Sequence, residues 1–307
     1  MKDPPVVLYT HPLFTEALSL DVRFPRTRYR DVHDEVRRRG FCSRIRVSPQ
    51  ARRDEILTAH GARYLDAFLE DRLDGTQRRR IGLTPWTSAI IPRTLALMGG
   101  SLAALDAAWT ECGVAGHMAG GTHHAHRNHG AGYCIFNDIP IVTAVAQQRY
   151  GVRRVLVIDL DVHQGDGTAT IMRDWKGALT FSLHCRANFP FRKARSHIDV
   201  SLAPGVGDDA YFATLRHHVP RLVARHRPEL VIFQAGVDPL AADHLGRLQL
   251  SRSGLFRRNR FVFAETAGRR IPTVVLMGGG YAKPIDASVQ SHADVFEEAS
   301  RWTWVPG

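Results

Sequence analysis

Short apolar runs alternate with longer stretches of helical spacing along most of the chain. VVLY (6–9) reads as an opening strand. DEILTAHGARYLDAFLEDRL (54–73) places Ile56, Leu57, His60, Tyr64, Leu65 and Phe68 at helical intervals. IIPRTLALMGGSLAALDAAWTE (90–111) predicts a buried helix with a weak point at Gly99–Gly100. VAGHMAGG (114–121) predicts a short strand running into a glycine turn, and IPIVTAVAQQRY (139–150) a helix with proline in its first turn. The centre is more regular. RRVLVIDLDVH (153–163), ALTFSLH (178–184), ELVIFQAGVD (229–238) and IPTVVLMGGGY (271–281) are nearly continuous apolar runs of strand length, with helical segments such as DDAYFATLRHHVPRLVARHR (208–227) between them. Strands buried on both faces and alternating with helices predict an α/β fold: a parallel sheet flanked by helices, in one domain over residues 1–307. Ligands bind such sheets beyond the carboxyl ends of the strands. The polar side chains gather there: Asp159, Asp161 and His163 after one run, Asp238 and Tyr281 after two others, and His123–His124 after VAGHMAGG.

Composition narrows the class without changing this picture. Apolar residues make up 44% and charged residues 23% of 307, a globular balance that argues against disorder. The net charge of +11 raises the question of a nucleic-acid partner. Yet 37 of the 41 basic residues are arginine, and the runs Arg37–Arg39 and Arg78–Arg80 have no interleaved aromatic platform. The basic residues therefore read as a solvated surface rather than a nucleic-acid patch. Cys42, Cys112, Cys134 and Cys185 are scattered, with no CxxC pair, which suits a reducing compartment. MKDPPVVLYT lacks the features of a signal peptide, and no apolar run approaches the length of a spanning helix. A cytoplasmic protein with no membrane partner is the expectation.

DLDVHQGDG (159–167) sets Asp159, Asp161 and His163 at i, i+2 and i+4. If the strand continues through them, all three face one way. Carboxylates crowded on one face repel unless a cation or proton neutralises them. With Asp238, the pair Asp161 and His163 makes a donor set suited to Zn²⁺ first and Fe²⁺ second, with positions open for water and a substrate oxygen. Water attack on a carbonyl needs a base, and the leaving group an acid. In GTHHAHRNHGAGYC (121–134), His123 and His124 are candidates, with Asp159 and Asp166 as orienting carboxylates. The residues alone leave open whether the two histidines move protons, bind the metal or line a loop. His126 and His129 are expected to be solvent-exposed loop residues. Tyr281, after three glycines, is either an oxyanion-stabilising phenol or part of an ordinary turn.

In this order the segments GGTHHAHRNHGAGYCIFNDI, VLVIDLDVHQGDGT, TFSLH, QAGVDPLAADHLG and LMGGGY resemble the histone deacetylase family of zinc-dependent amidohydrolases, with DEILTAHGARYLDAF as a weaker match. The likeness spans about residues 54 to 300. Short length and DVHQGDG make the chain similar to small bacterial, class IV-like members. The resemblance implies an arginase/deacetylase-like fold and hydrolysis of the amide of N-acyl-lysine in a protein or peptide. It implies Asp161, His163 and Asp238 as zinc ligands, and His124 as general base and acid, buttressed by Asp166. His123 would be the electrostatic partner, paired with Asp159, and Tyr281 the carbonyl-polarising phenol. Gly132, Tyr133 and Phe189 would wall the acyl-lysine channel, with Leu245 at its rim. A structural K⁺ is implied around Asp159, Asp161, His163, Ser182 and Leu183. Two departures stand out. IGLTPWTSAII (81–91) holds no counterpart of the acidic rim residue that many relatives use, and Tyr133 occupies a position commonly phenylalanine.

Three other functions are open to such a chain. Deacetylation of small acylated amines such as acylpolyamines would need added acidic groups at the mouth. An arginase-type ureohydrolase would need a second metal motif, which QAGVDPLAADH does not complete. A non-catalytic binding module would have no need of every catalytic position.

Overall fold

The computed structural model describes residues 4–306. Its single sheet has eight strands: β1 (Val7–Thr10), β2 (Arg44–Val47), β3 (Val114–His117), β4 (Val155–Asp159), β5 (Ala178–Cys185), β6 (Ile198–Leu202), β7 (Leu230–Gln234) and β8 (Thr273–Leu276). All pair in parallel, in the order β2-β1-β3-β8-β7-β4-β5-β6. Every residue of β3, β4, β7 and β8 is buried, which is why their sequences are continuous apolar runs. The expected parallel α/β sheet flanked by helices is therefore the observed one. No helix among the described residues is long and apolar enough to cross a membrane.

The chain leaves β3, skips two strand positions to form β4, and fills the gap only later with β7 and β8. Thus β3, β8, β7, β4 and β5 are consecutive neighbours, and their carboxyl ends deliver all the polar residues singled out above. The strands are shorter than their apolar runs. β4 stops at Asp159 and β7 at Gln234, so Asp161, His163 and Asp238 lie on loops. The expected alternation along a continuing strand does not position them.

Two helix expectations are corrected. Residues 54–73 form two helices, Arg53–Leu57 and Ala62–Leu69. The break lets Gly61 N donate to the Arg127 carbonyl at 3.0 Å. It also points His60 Nε2 at the Asn137 amide, which donates to it at 2.8 Å. His60 thus ties this region to the histidine loop, and burial pushes its pKa down to about 4, holding it neutral. Residues 90–111 form the helix Ile90–Ala107 followed by a π-type turn, Ala108–Cys112. Gly99–Gly100 is no weak point in it. A Cβ at Gly99 would lie 2.7 Å from the Ala51 amide nitrogen, and one at Gly100 2.5 Å from Ser48 Oγ. The glycines let the helix close on the segment after β2.

The helix Asp138–Tyr150 begins with residues that frame the site. Asn137 caps it, accepting from Ile139 N at 3.3 Å, and donates to the His123 and Ala125 carbonyls at 3.2 and 3.1 Å. Asp138 accepts from the amides of Gly121 and Thr122 at 3.0 and 2.8 Å and from Ser101 Oγ at 2.5 Å. The loop carrying His123 and His124 is therefore clamped by main-chain bonds, several to a charged acceptor.

Helix propensity alone favours alanine over glycine by about 1 kcal/mol. The backbone contact at Gly99 reverses the sign. Gly99→Ala is expected to lower stability by about 1–3 kcal/mol in urea unfolding; a midpoint at or above that of the parent protein would contradict the close approach.

Candidate active site

The loop after β4 turns back so that its own amides satisfy its carboxylates. Asp161 N donates to Asp159 Oδ1 at 3.2 Å, and His163 N to Asp161 Oδ1 at 3.0 Å. Val162 N donates to Asp238 Oδ1 at 2.8 Å, and Gly279 N to Asp161 Oδ2 at 2.8 Å. The loops after β4, β7 and β8 are thereby knitted around Asp161. His163 Nδ1 faces two carboxylates at once, 3.0 Å from Asp161 Oδ1 and 3.1 Å from Asp238 Oδ2. One ligand atom from each of Asp161, His163 and Asp238 lies within 4.8 Å of the other two, and all three residues are buried.

The electrostatics of this trio are those of a cation site. Burial alone would lower the His163 pKa, but the hydrogen bonds it donates to Asp161 and Asp238 outweigh it and lift the imidazole to about 10. Burial and the neighbouring Asp161 push Asp238 up to about 8, whereas Asp161 ends well below the usual range despite its burial, held there by His123 and His163. A proton on Nδ1 sits where two carboxylates and an imidazole converge. That donor set fits a divalent metal.

Two imidazoles stand beside the trio, each held by its own carboxylate. His123 Nδ1 is 2.8 Å from Asp159 Oδ2, and His124 Nδ1 is 2.7 Å from Asp166 Oδ1. Their Nε2 atoms lie 3.1 Å apart and both rings are buried. The environments divide them. For His123, burial is outweighed by the charges of Asp159 and Asp161, and the pKa rises to about 9. For His124, burial and then the charge of His123 push it down to about 4. His124 is thus neutral at neutral pH, with Nδ1–H given to Asp166 and the Nε2 lone pair facing the centre. Asp166 is held below the usual range: its burial is outweighed by the bonds from His124 and His126.

That last contact corrects an expectation. His126 is half-buried; its Nε2 lies 3.0 Å from Asp166 Oδ2 and its Nδ1 2.9 Å from Thr170 Oγ1. His129 stacks on it at 4.5 Å between ring centroids and is also half-buried. Neither is the exposed loop residue expected from its polar neighbours.

Tyr281 lines the same cavity, of about 470 Å³, with Gly132, Tyr133, Phe189 and Leu245. Burial raises the phenol well above its ordinary pKa, so it keeps its proton. Phe189 meets the His124 ring edge-on at 4.8 Å between centroids. Gly132 has φ +54°, and a Cβ there would lie 2.8 Å from His124 Cδ2, so only glycine leaves that ring in place. Ser182 and Leu183 are buried in β5, with Ser182 in register with Asp159 of β4.

Several supporting residues carry no sequence signal of their own. Arg258, fully buried, donates to the carbonyls of Gly236 at 2.6 Å, Ala235 at 3.1 Å and Leu160 at 3.3 Å, bracing the loops after β7 and β4. Arg28 donates to Gly280 and Gly278 at 2.7 and 3.2 Å and lies 5.2 Å from the Tyr281 ring centroid. Asp243 accepts from Tyr281 N at 2.6 Å and from Leu245 and Gly246 N at 2.9 and 2.8 Å, joining the phenol to the rim. Phe24 and Phe191 add to the apolar lining.

A parallel α/β sheet that brings such a trio, two carboxylate-held imidazoles and a protonated phenol to one cavity defines a hydrolase site. Comparison with known proteins makes the class specific. The family model described as histone deacetylase domain matches residues 23–296, and the chain belongs to the histone deacetylase family. It is 40% identical over 285 residues to an uncharacterized protein of Picosynechococcus, covering 92% of this chain and 94% of that one. It is 32% identical over 263 residues to the histone deacetylase-like amidohydrolase of Pseudomonas aeruginosa, covering 80% and 68%. To histone deacetylase 2 of Arabidopsis thaliana it is 36% identical over 207 residues, covering 66% and 52%.

In protein stripped of metal, His124 is expected to titrate near 4 and His123 near 9, read from the ring nitrogen shifts by NMR. Two rings titrating together near the ordinary 6.5 would contradict the division.

Proposed function

We propose that the protein, acting as one catalytic domain over its length, hydrolyses the amide of N-acyl-lysine. The observation that carries this reading is the pairing of His124 with Asp166 and of His123 with Asp159, beside Tyr281 and the Asp161–His163–Asp238 trio. A divalent cation on that trio, Zn²⁺ or Fe²⁺, would supply Lewis-acid chemistry, polarising the acyl carbonyl and acidifying water. The protein's own groups do the rest. His124, neutral and with Nδ1–H committed to Asp166, takes the water proton on Nε2. His123, held by Asp159, adds positive charge beside the attacking oxygen. The Tyr281 O–H donates to the carbonyl oxygen as negative charge develops there. His124 then returns its proton to the leaving lysine nitrogen. Asp243 and Arg28 hold the Tyr281 segment in place through its backbone.

Phe189, Gly132 and Tyr133, which line the cavity, would suit an unbranched alkyl stem, and the exposed Leu245 would suit contact with what lies outside. The register of Asp159 with Ser182 supports a structural K⁺ held by the segments around Asp159, Asp161, His163, Ser182 and Leu183. Four buried free thiols accord with a reducing, cytoplasmic setting.

With an acetyl-lysine peptide as substrate, His124→Ala is expected to lower kcat by about 10²–10⁴-fold and Tyr281→Phe by about 10²–10³-fold, with unchanged circular dichroism. Parental rates in both variants would overturn the proposal.

A further inference from the structure

The mouth of the cavity carries charge that the reacting centre does not use. Besides the histidines, the charged residues lining the cavity are Arg28, Asp161, Arg80 and Arg247. Asp161 is at the buried centre, and Arg28 is bound to the Gly278 and Gly280 carbonyls. Arg80 and Arg247 are exposed. They come from two different segments of the lining. Arg80 precedes Ile81, whose carbonyl accepts from Tyr133 N at 2.7 Å. Arg247 donates its own amide to Asn188 Oδ1 at 3.1 Å, next to Phe189. Around them the rim is apolar: Phe189, Leu245 and Phe191 are 38%, 40% and 92% exposed. Among the described residues, no carboxylate outside the buried centre lines the cavity.

Neither guanidinium has an ion-pair or side-chain hydrogen-bond partner among the described residues. Two other cations nearby are already bonded. Arg78 is bonded to Asp71 and to the Leu73 carbonyl, and Lys193 to the carbonyls of Asn188 and Pro190. Two unpartnered guanidiniums at one apolar opening present ten N–H donors in forks that match carboxylates.

We propose that Arg80 and Arg247 select substrates that carry a carboxylate near the alkyl stem of the acylated amine. The inference rests on the amide-hydrolysis reading above and names its substrate class. The carboxylate comes either from acidic residues flanking an acyl-lysine or from the α-carboxylate of free acyl-lysine. Cationic amines such as acylpolyamines meet like charge at this mouth and are disfavoured. Because the arginines are exposed, each contributes modestly, about threefold in kcat/KM, or about tenfold together at low salt. Salt screens the effect.

The test compares acetyl-lysine peptides of equal length flanked by aspartate, glutamine or lysine, alongside free Nε-acetyl-lysine, its carboxamide and acetylspermidine. The aspartate-flanked peptide or free acetyl-lysine is expected to exceed its uncharged counterpart, and the lysine-flanked peptide and acetylspermidine to fall below. Which of the two anionic substrates leads assigns the source of the carboxylate. The preference shrinks with added salt, disappears in Arg80→Gln/Arg247→Gln and reverses in Arg80→Glu/Arg247→Glu, while turnover of the glutamine-flanked peptide persists. Binding of the same labelled peptides to His124→Ala, read by fluorescence anisotropy, is expected to follow the same charge order. Equal turnover of all substrates, or preference for the cationic ones, overturns the inference and leaves amide hydrolysis standing. No turnover of any substrate overturns the hydrolysis reading; the anisotropy order then upholds charge selection at the mouth if it favours aspartate and overturns it if it does not.

Discussion

The structure depends on how it keeps negative charge buried at the carboxyl edge of its sheet. Asp159, Asp161, Asp166 and Asp238 all lie within one buried region, and an uncompensated buried carboxylate costs several kcal/mol. Every one of them is met by a specific donor: main-chain amides at Asp159, Asp161 and Asp238, and imidazoles at Asp159 and Asp166. The remaining imbalance falls on His163, whose Nδ1 lies between two carboxylates. A cation held at that point would balance the charge and would bring its chemistry to whatever enters the cavity.

Holding this arrangement requires loops as rigid as strands, and the surrounding helices provide that rigidity through buried polar groups. Asp138 and Asn137 clamp the histidine loop from one side, while His60 ties the broken helix to the same segment. Arg258 and Arg28 brace the loops after β4, β7 and β8 through their carbonyls. Each arginine also places positive charge behind the carboxylates. Fold stability and site geometry are therefore supported by the same bonds, so a substitution in this layer is felt by both.

The legible part of the sequence is the part where burial dictates residue type. Strands β3, β4, β7 and β8 are covered on both faces and so read as apolar runs; β2 and β6, at the two edges, are half-solvated and carry no such run. The acidic and histidine residues announced a site because crowded carboxylates need compensation, although their placement on loops, not on extended strands, could not be read from spacing. The half-burial of His126 is not legible in its neighbours because its partner, Asp166, is 40 residues away. Arg28, 252 residues from Gly280, and Arg258 looked like ordinary members of an arginine-rich set. The same abundance hides Arg80 and Arg247, which are distinguished only by the chain bringing them to the lining of the cavity.

The most direct test of this account is where a metal sits. Anomalous diffraction at the zinc and iron edges from metal-loaded crystals is expected to give a peak about 2.0–2.2 Å from one atom each of Asp161, His163 and Asp238, and Asp238→Asn to abolish or strongly weaken it. A peak on the His126–His129 pair, or none between the three residues at saturating metal, would contradict it.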